Sequence, residues 1–181
     1  MIAVKKIVIT GPESSGKSTL SQQLAAHFHT RWVPEFARSY LEQLDRPYGQ
    51  EDLLEIARGQ AALEDREKMD ASQYLFCDTG LEVIKIWSLF KYGNVDPRIE
   101  RMLAARSYDF YLLCTPDLEW TPDPLRETPK PEDRWQLFEL YRKEILRLGV
   151  PWGIVEGEVH HRLEMAVAAV EAGFNGPGHS C

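Results

Sequence analysis

Cysteine is scarce in this chain: Cys77, Cys114 and Cys181 are the whole complement of 181 residues, and none belongs to a C-x-x-C pair. An odd number at wide spacing makes neither a disulfide framework nor a zinc site. Cys77 and Cys114 fall in apolar, strand-like runs, where a buried free thiol is the ordinary outcome. The five histidines lack ligand spacing too, because His160 and His161 are adjacent and point to different faces of a helix. No apolar run approaches the length of a membrane span. The stretch from Met1 to Thr10 is too short for the apolar segment of a signal peptide. Basic residues are outnumbered, with 21 Lys and Arg against 28 Asp and Glu, a net charge of −7. Coating nucleic-acid phosphates needs the opposite balance. There is neither an internal repeat nor a low-complexity block. A cytoplasmic protein without membrane or nucleic-acid partners is expected, and homo-oligomerisation is left open.

What is present begins with residues 11–18, which read Gly11-Pro12-Glu13-Ser14-Ser15-Gly16-Lys17-Ser18. This is a G-x-x-x-x-G-K-[ST] loop, set between the apolar run Ile7-Val8-Ile9 and a helix-like stretch from Thr19 to Phe28. Gly11 and Gly16 let the backbone curl until consecutive N–H groups point inward at a phosphate. The helix that follows adds its positive end. Lys17 then reaches β- and γ-phosphates, and the Ser18 hydroxyl becomes a ligand of Mg²⁺. Gly11, Glu13, Ser14, Ser15, Gly16, Lys17, Ser18 and Thr19 form the expected ATP-binding set.

Apolar residues make up 44% of the chain and charged ones 27%, an ordinary globular balance. Strand-like runs at Val4–Thr10, Arg31–Val33, Tyr74–Cys77, Phe110–Cys114 and Trp152–Val155 alternate with helical patterns near 17–29, 35–45, 50–71, 80–91, 96–106, 131–148 and 158–172. Such alternation predicts an α/β, three-layer P-loop NTPase sandwich with a five-stranded parallel sheet, a single domain over 1–174. Thr115 to Pro131 contains five prolines, Pro116, Pro122, Pro124, Pro129 and Pro131, and reads as an irregular lid. Residues 175–181 read as a frayed tail.

Ligands collect at the carboxyl ends of parallel strands, so the residues there are the candidates. Asp78 follows the third apolar run and reads as a Mg²⁺ partner or as the N-cap of the next helix. Glu35 follows the second run, beside the loop on the acceptor side. It reads as the base that orients an acceptor hydroxyl, or as a first-turn carboxylate paired with Arg38 on the same helix face. Arg126 and Arg134, in and after the Pro-rich stretch, read as mobile arginines closing over a transferring phosphoryl group. Arg134 on a helix surface is the plainer alternative. Trp87, Tyr92 and Trp120 could stack on a planar, cationic ring, though packing is the commoner use of such residues.

In order, the strings GPESSGKSTL, WVPEFARSYLEQL, LFCDTG and DLEWTPDPLR, with Arg134 eight residues on, resemble the kinase domain of the NadR proteins, the ribosylnicotinamide kinases. The similarity runs from about Ile7 to Glu156. It implies transfer of a phosphoryl group from ATP, with Mg²⁺, to the 5′-hydroxyl of nicotinamide riboside, giving nicotinamide mononucleotide. It implies catalytic roles for Lys17, Glu35, Asp78, Arg126 and Arg134, and acceptor contacts from Glu35, Arg38 and Asp78. The adenylyltransferase region that precedes this domain in NadR proteins has no counterpart ahead of the first strand, so a stand-alone kinase is expected. Two alternatives are a kinase for another nucleoside or small metabolite and a regulatory P-loop ATPase. A GTPase switch would show N-K-x-D and D-x-x-G, and a motor ATPase would show adjacent acids where this chain has Asp78-Thr79.

Overall fold

The computed structural model describes residues 3–175, and the tail read as frayed lies outside them save for Asn175. Five strands, β1 (Lys5–Thr10), β2 (Arg31–Val33), β3 (Tyr74–Asp78), β4 (Phe110–Cys114) and β5 (Trp152–Val155), form one sheet in the order β2-β3-β1-β4-β5. Every pairing is parallel. The helices are α1 (Lys17–His27), α2 (Phe36–Glu42), α3 (Gln50–Lys68), α4 (Leu81–Tyr92), α5 (Pro97–Ala104), α6 (Pro131–Leu148) and α7 (Val159–Asn175). None of the described helices is long and apolar enough to cross a membrane.

The central strands read as unbroken apolar runs because both of their faces are covered. Ile7 and Ile9 face a cluster with Leu20 and Leu24 of α1 and Ala166 and Val170 of α7. Val8, one residue out of phase, joins the opposite cluster with Leu53 and Ile56 of α3, Ile84 of α4 and Tyr141 of α6. Each fully buried aliphatic side chain contributes about 1.5–3 kcal/mol. The alternation therefore fixes the sheet's facing, since a one-residue slip would exchange the two cores.

Element ends differ modestly from the sequence pattern. Helix α2 stops at Glu42, and the chain then turns through Pro47 to Gly49, where α3 begins. Strand β3 includes Asp78, whose Cα pairs with that of Ile9, while Val33 pairs with Cys77. This register brings the ends of β1, β2 and β3 to one level. Strand order switches sides at β1, with β3 on one flank and β4 on the other, and the crevice at such a switch is where these sheets take ligands.

The α3–α4 face also contains a polar seam. Glu64 is fully buried and meets Lys6 and Arg106, each at 3.3 Å, and accepts the Tyr108 hydroxyl at 2.9 Å. Tyr108 in turn accepts the Leu81 N–H at the start of α4, at 3.2 Å. Glu82 is less well served. It is fully buried, takes one long hydrogen bond from the Tyr111 hydroxyl (3.4 Å), and its Oε1 lacks a hydrogen-bond partner. Burial pushes its carboxyl up to about 7. Ionising Glu82 therefore costs the folded state more than the unfolded one. Its penalty is absent below the unfolded value near 4.5, grows as pH rises toward 7 and is constant above. Glu82→Gln is expected to stabilise the protein by about 2–3 kcal/mol more at pH 8 than at pH 5. Urea denaturation at the two pH values measures this, and equal effects at both would refute it.

Candidate functional site

The loop after β1 folds as the motif requires. Gly11 (φ 138°), Ser14 (φ 53°) and Gly16 (φ 79°) all take left-handed backbone, which turns successive N–H groups to one side. Gly11 is forced a second way, because a Cβ there would lie 2.5 Å from the Cys114 carbonyl oxygen at the end of β4. Helix α1 starts at Lys17 without a side-chain cap, so its first donors are left for an anion. The Lys17 ammonium and the Ser15 hydroxyl each donate to the Pro12 carbonyl at 2.7 Å.

Asp78 sits level with the loop and is 2% exposed. It does not cap α4: the N-cap position is Gly80, and the Asp78 Oδ1 lacks a hydrogen-bond partner. Burial raises its carboxyl above the ordinary range, against the pull of Lys17, the Ser18 hydroxyl and Arg38. An orphaned, buried carboxylate oxygen beside a serine hydroxyl suits a hydrated Mg²⁺ that also holds phosphates. Among the described residues, no group of three or more His, Cys, Asp or Glu could by itself cage a metal.

Glu35 occupies the N-cap position of α2 but makes no capping bond, so its carboxylate is available to the cavity it lines. Burial first, and the nearby Asp78 second, push it up to about 7, with Lys17 and Arg38 opposing. The pairing of Glu35 with Arg38 is not formed as a salt bridge. The Arg38 guanidinium instead meets Asp123 of the Pro-rich segment at 2.9 Å and Glu42 at 3.5 Å.

The cavity has a volume of about 240 Å³. Its polar lining comes from the loop with Lys17 and Ser18 and from Glu35 and Arg126, and its apolar and aromatic lining includes Leu41, Tyr48, Ile56, Val83, Trp87 and Tyr141. Of the three aromatics singled out by sequence, Trp87 lines it, whereas Tyr92 and Trp120 are not among the lining residues. At the rim, Lys91 lies 3.8 Å from the Tyr48 ring centroid and 2.8 Å from Glu127, which also accepts the Tyr48 hydroxyl at 3.1 Å. A second recess, about 210 Å³, opens on the other side of the loop between Gln23, Leu118, Thr121, Val159 and Arg162. Ser14, Gly16, Thr19 and Arg126 border both spaces.

The Pro-rich segment is irregular and docks on the loop. The Glu127 and Thr128 N–H groups and the Thr128 hydroxyl donate to the Glu13 carboxylate at 2.9, 3.0 and 2.7 Å. The Thr121 N–H donates to the Ser14 hydroxyl at 3.1 Å. Glu13, expected in the phosphate cradle, thus commits its side chain to the lid. Arg134, expected as a mobile arginine, is held in this structure. It is 3% exposed, and its guanidinium donates to the carbonyls of Glu13, Leu118 and Ser14, each at 3.1 Å. Arg126 remains half-buried at the junction of the two spaces, held by the Thr121 carbonyl.

Sequence reasoning missed Arg162, Tyr48, Glu127 and Gln60. Arg162 is 2% exposed and donates to the carbonyls of Gly157 (2.7 Å), Ser15 (3.1 Å), Val155 and Thr115 (both 3.3 Å), and to the Asp117 carboxylate. A single arginine in an amphipathic helix gives no signal of this. The contrast between the two lid-region arginines is measurable. Arg134→Met strands three partly buried carbonyls and is expected to cost about 1–3 kcal/mol, while Arg126→Met stays within about 0.5 kcal/mol. Chemical denaturation of both variants checks this, and similar losses would overturn the distinction.

A family model described as an AAA domain (AAA_28) matches residues 6–162. The trifunctional NAD biosynthesis/regulator protein NadR of Escherichia coli (strain K12) is 28% identical over 143 residues, 76% of this chain and 34% of that protein. Its Salmonella typhimurium counterpart is 28% identical over 150 residues, 80% of this chain and 36% of its own. The chain therefore spans about a third of the length of the curated relatives it matches. A crystal structure of NadR protein in complex with NR superposes with a TM-score of 0.81 at 22% identity, covering 93% of this chain and 51% of that one. A deoxyadenosine kinase from M. mycoides superposes with a TM-score of 0.64 at 16% identity, covering 92% and 99%. The chain belongs to the AAA_28 family and is a NadR-like P-loop domain.

Proposed function

We propose that the chain is an ATP-dependent kinase of a small nucleoside-like acceptor, with the 5′-hydroxyl of nicotinamide riboside as the acceptor it fits best. The single observation that carries this is the placing of Glu35. A carboxylate poised near 7 lines the same cavity as Lys17 and as a set of apolar and aromatic side chains. A conformational ATPase has no need of such a second chamber.

In this reading the recess beside Thr19 and Val159 takes the nucleotide's base end, and the loop takes its phosphates. Ser18 and Asp78 would hold Mg²⁺, which supplies positive charge to the phosphate oxygens. Glu35 accepts a hydrogen bond from the acceptor hydroxyl and turns its oxygen toward phosphorus. It takes the proton as the new O–P bond forms and the bond to the β-phosphate oxygen breaks. Lys17 neutralises charge building on the departing diphosphate. Arg126 stands where it can meet the transferring group from the lid side. The docked lid excludes water that would otherwise compete with the acceptor. Trp87, Tyr48 and Tyr141 give the wall π-faces suited to a cationic ring, and the NadR structure bound to NR supports that class of acceptor.

Purified protein assayed with ATP, Mg²⁺ and a panel of nicotinamide riboside, deoxyadenosine and thymidylate is expected to convert nicotinamide riboside fastest. Preference for deoxyadenosine or thymidylate would reassign the acceptor. ATP hydrolysis that no acceptor alters would favour the regulatory ATPase.

Lys17→Ala is expected to lower transfer by at least about 10²-fold with the melting temperature nearly unchanged, because its ammonium serves phosphate charge rather than packing. Near-normal turnover in that variant would remove the loop's role. Glu35→Gln keeps a hydrogen-bond acceptor but cannot take a proton. It is expected to lower kcat by about 10²–10⁴-fold while ATP affinity stays within a factor of about two. Full activity in this variant would sink the assignment of the base.

A further inference from the structure

Two adjacent residues of α3, Gly59 and Gln60, meet the segments that follow both site carboxylates, and neither contact was legible in the sequence. Gly59 sits inside a 19-residue helix, a position that alanine would serve better. The reason is local: a Cβ at Gly59 would fall 2.0 Å from Cε1 of Phe36, so the Phe36 ring rests directly on the α3 backbone. Gln60, 2% exposed, uses both ends of its amide. Its Oε1 accepts the Phe36 N–H at 2.8 Å, and its Nε2 donates to the Thr79 carbonyl at a longer 3.4 Å. Phe36 follows Glu35 and Thr79 follows Asp78. Thr79 is further held in left-handed backbone (φ 69°), with its N–H on the Ile9 carbonyl at 3.0 Å.

We propose that Gly59-Gln60 is the positioning element of the acceptor-side base: the socket for Phe36 and the bridging amide together set Glu35 against Asp78 and the phosphate loop. This rests on the reading of Glu35 as the base. Gln60 acts through Glu35 rather than on the reacting atoms. Alternating β and α segments place Glu35 only to within the reach of a loop, because β2 is three residues long and lies at the edge of the sheet. The docking of α2 on α3 supplies the remaining precision. Misplacing a reacting group by about 1 Å can cost about 10²-fold in rate.

The test uses Gln60→Met, which keeps the volume and removes both hydrogen bonds, in the native chain and in the Glu35→Gln background. With ATP and nicotinamide riboside, Gln60→Met is expected to lower kcat by about 10- to 100-fold, with the KM for ATP within about twofold. In the Glu35→Gln background the same substitution is expected to add less than about a threefold loss, because residues acting as one unit are not additive. Gly59→Ala, a better helix former, is expected to lower kcat without a matching loss of melting temperature.

Amide hydrogen exchange reads the same contact without any activity. The Phe36 N–H is expected to lose at least about tenfold of its protection in Gln60→Met, since that side chain is its hydrogen-bond partner. Unchanged protection overturns the proposal whatever the acceptor proves to be. So does an equal loss of kcat from Gln60→Met in both backgrounds, or a raised acceptor KM at constant kcat, which would make Gln60 a substrate contact. Full activity of Glu35→Gln is a different failure and falls on the base assignment itself.

Discussion

A loop that turns its N–H groups inward at an anion must turn its carbonyls outward into protein, and those carbonyls need donors. Much of this structure follows from that constraint. Pro12 is served by Ser15 and Lys17, Glu13 and Ser14 by Arg134, and Ser15 by Arg162. The two arginines come from α6 and α7, on opposite faces of the sheet, so the loop is braced from both sides. Guanidinium suits the task because its planar fork can meet several carbonyls at once and it cannot lose its charge. Arg162 extends the brace to the ends of β4 and β5, and Arg134 extends it to Leu118 at the root of the lid.

The same economy ties the lid to the loop. Glu13 and Ser14 belong to the phosphate-binding motif, yet their side chains receive donors from Thr121, Glu127 and Thr128. Arg38 adds a tie from α2 to Asp123. The Pro-rich segment therefore docks on the loop itself, and the cavity is lined by residues from both and from α2, α3, α4 and α6. Two carboxylates crowd one another here, Glu35 lining the cavity and Asp78 lying near it. Glu35 and Asp78 are both pushed upward, burial being the first cause for each, and each raises the demand for the cations Lys17 and Arg38. Such crowding is costly for stability and is the arrangement proton-transfer sites use.

Much of the fold was legible because its signals are local. Apolar runs separated by helical periods gave five parallel strands, and glycine spacing with lysine and serine gave the loop. The Pro-rich segment was legible as irregular, since proline excludes the alternatives. Asp78 was legible at a strand end; the alternative of a cap for the next helix is not formed, because Gly80 takes the N-cap position and Tyr108 serves the helix start from elsewhere. Arg134 was expected near the transferring phosphoryl group from its place eight residues after the string DLEWTPDPLR. Its burial was not readable, because a helix shows one residue in each turn to its neighbour and only docking decides which.

By itself the sequence determined the phosphate loop, the order of strands and helices along the chain, and the positions of Glu35 and Asp78 at the carboxyl ends of their strands. Each of these depends on a few neighbouring residues and on steric rules that hold in any context. The tertiary structure alone decided that Glu35 and Asp78 lie near one another, that Arg38 pairs with Asp123 rather than Glu35, and that Gln60 and Arg162 line the two cavities. These depend on register between strands far apart in the chain and on which helix face meets which groove. Long-range packing sets both, and no local pattern records it.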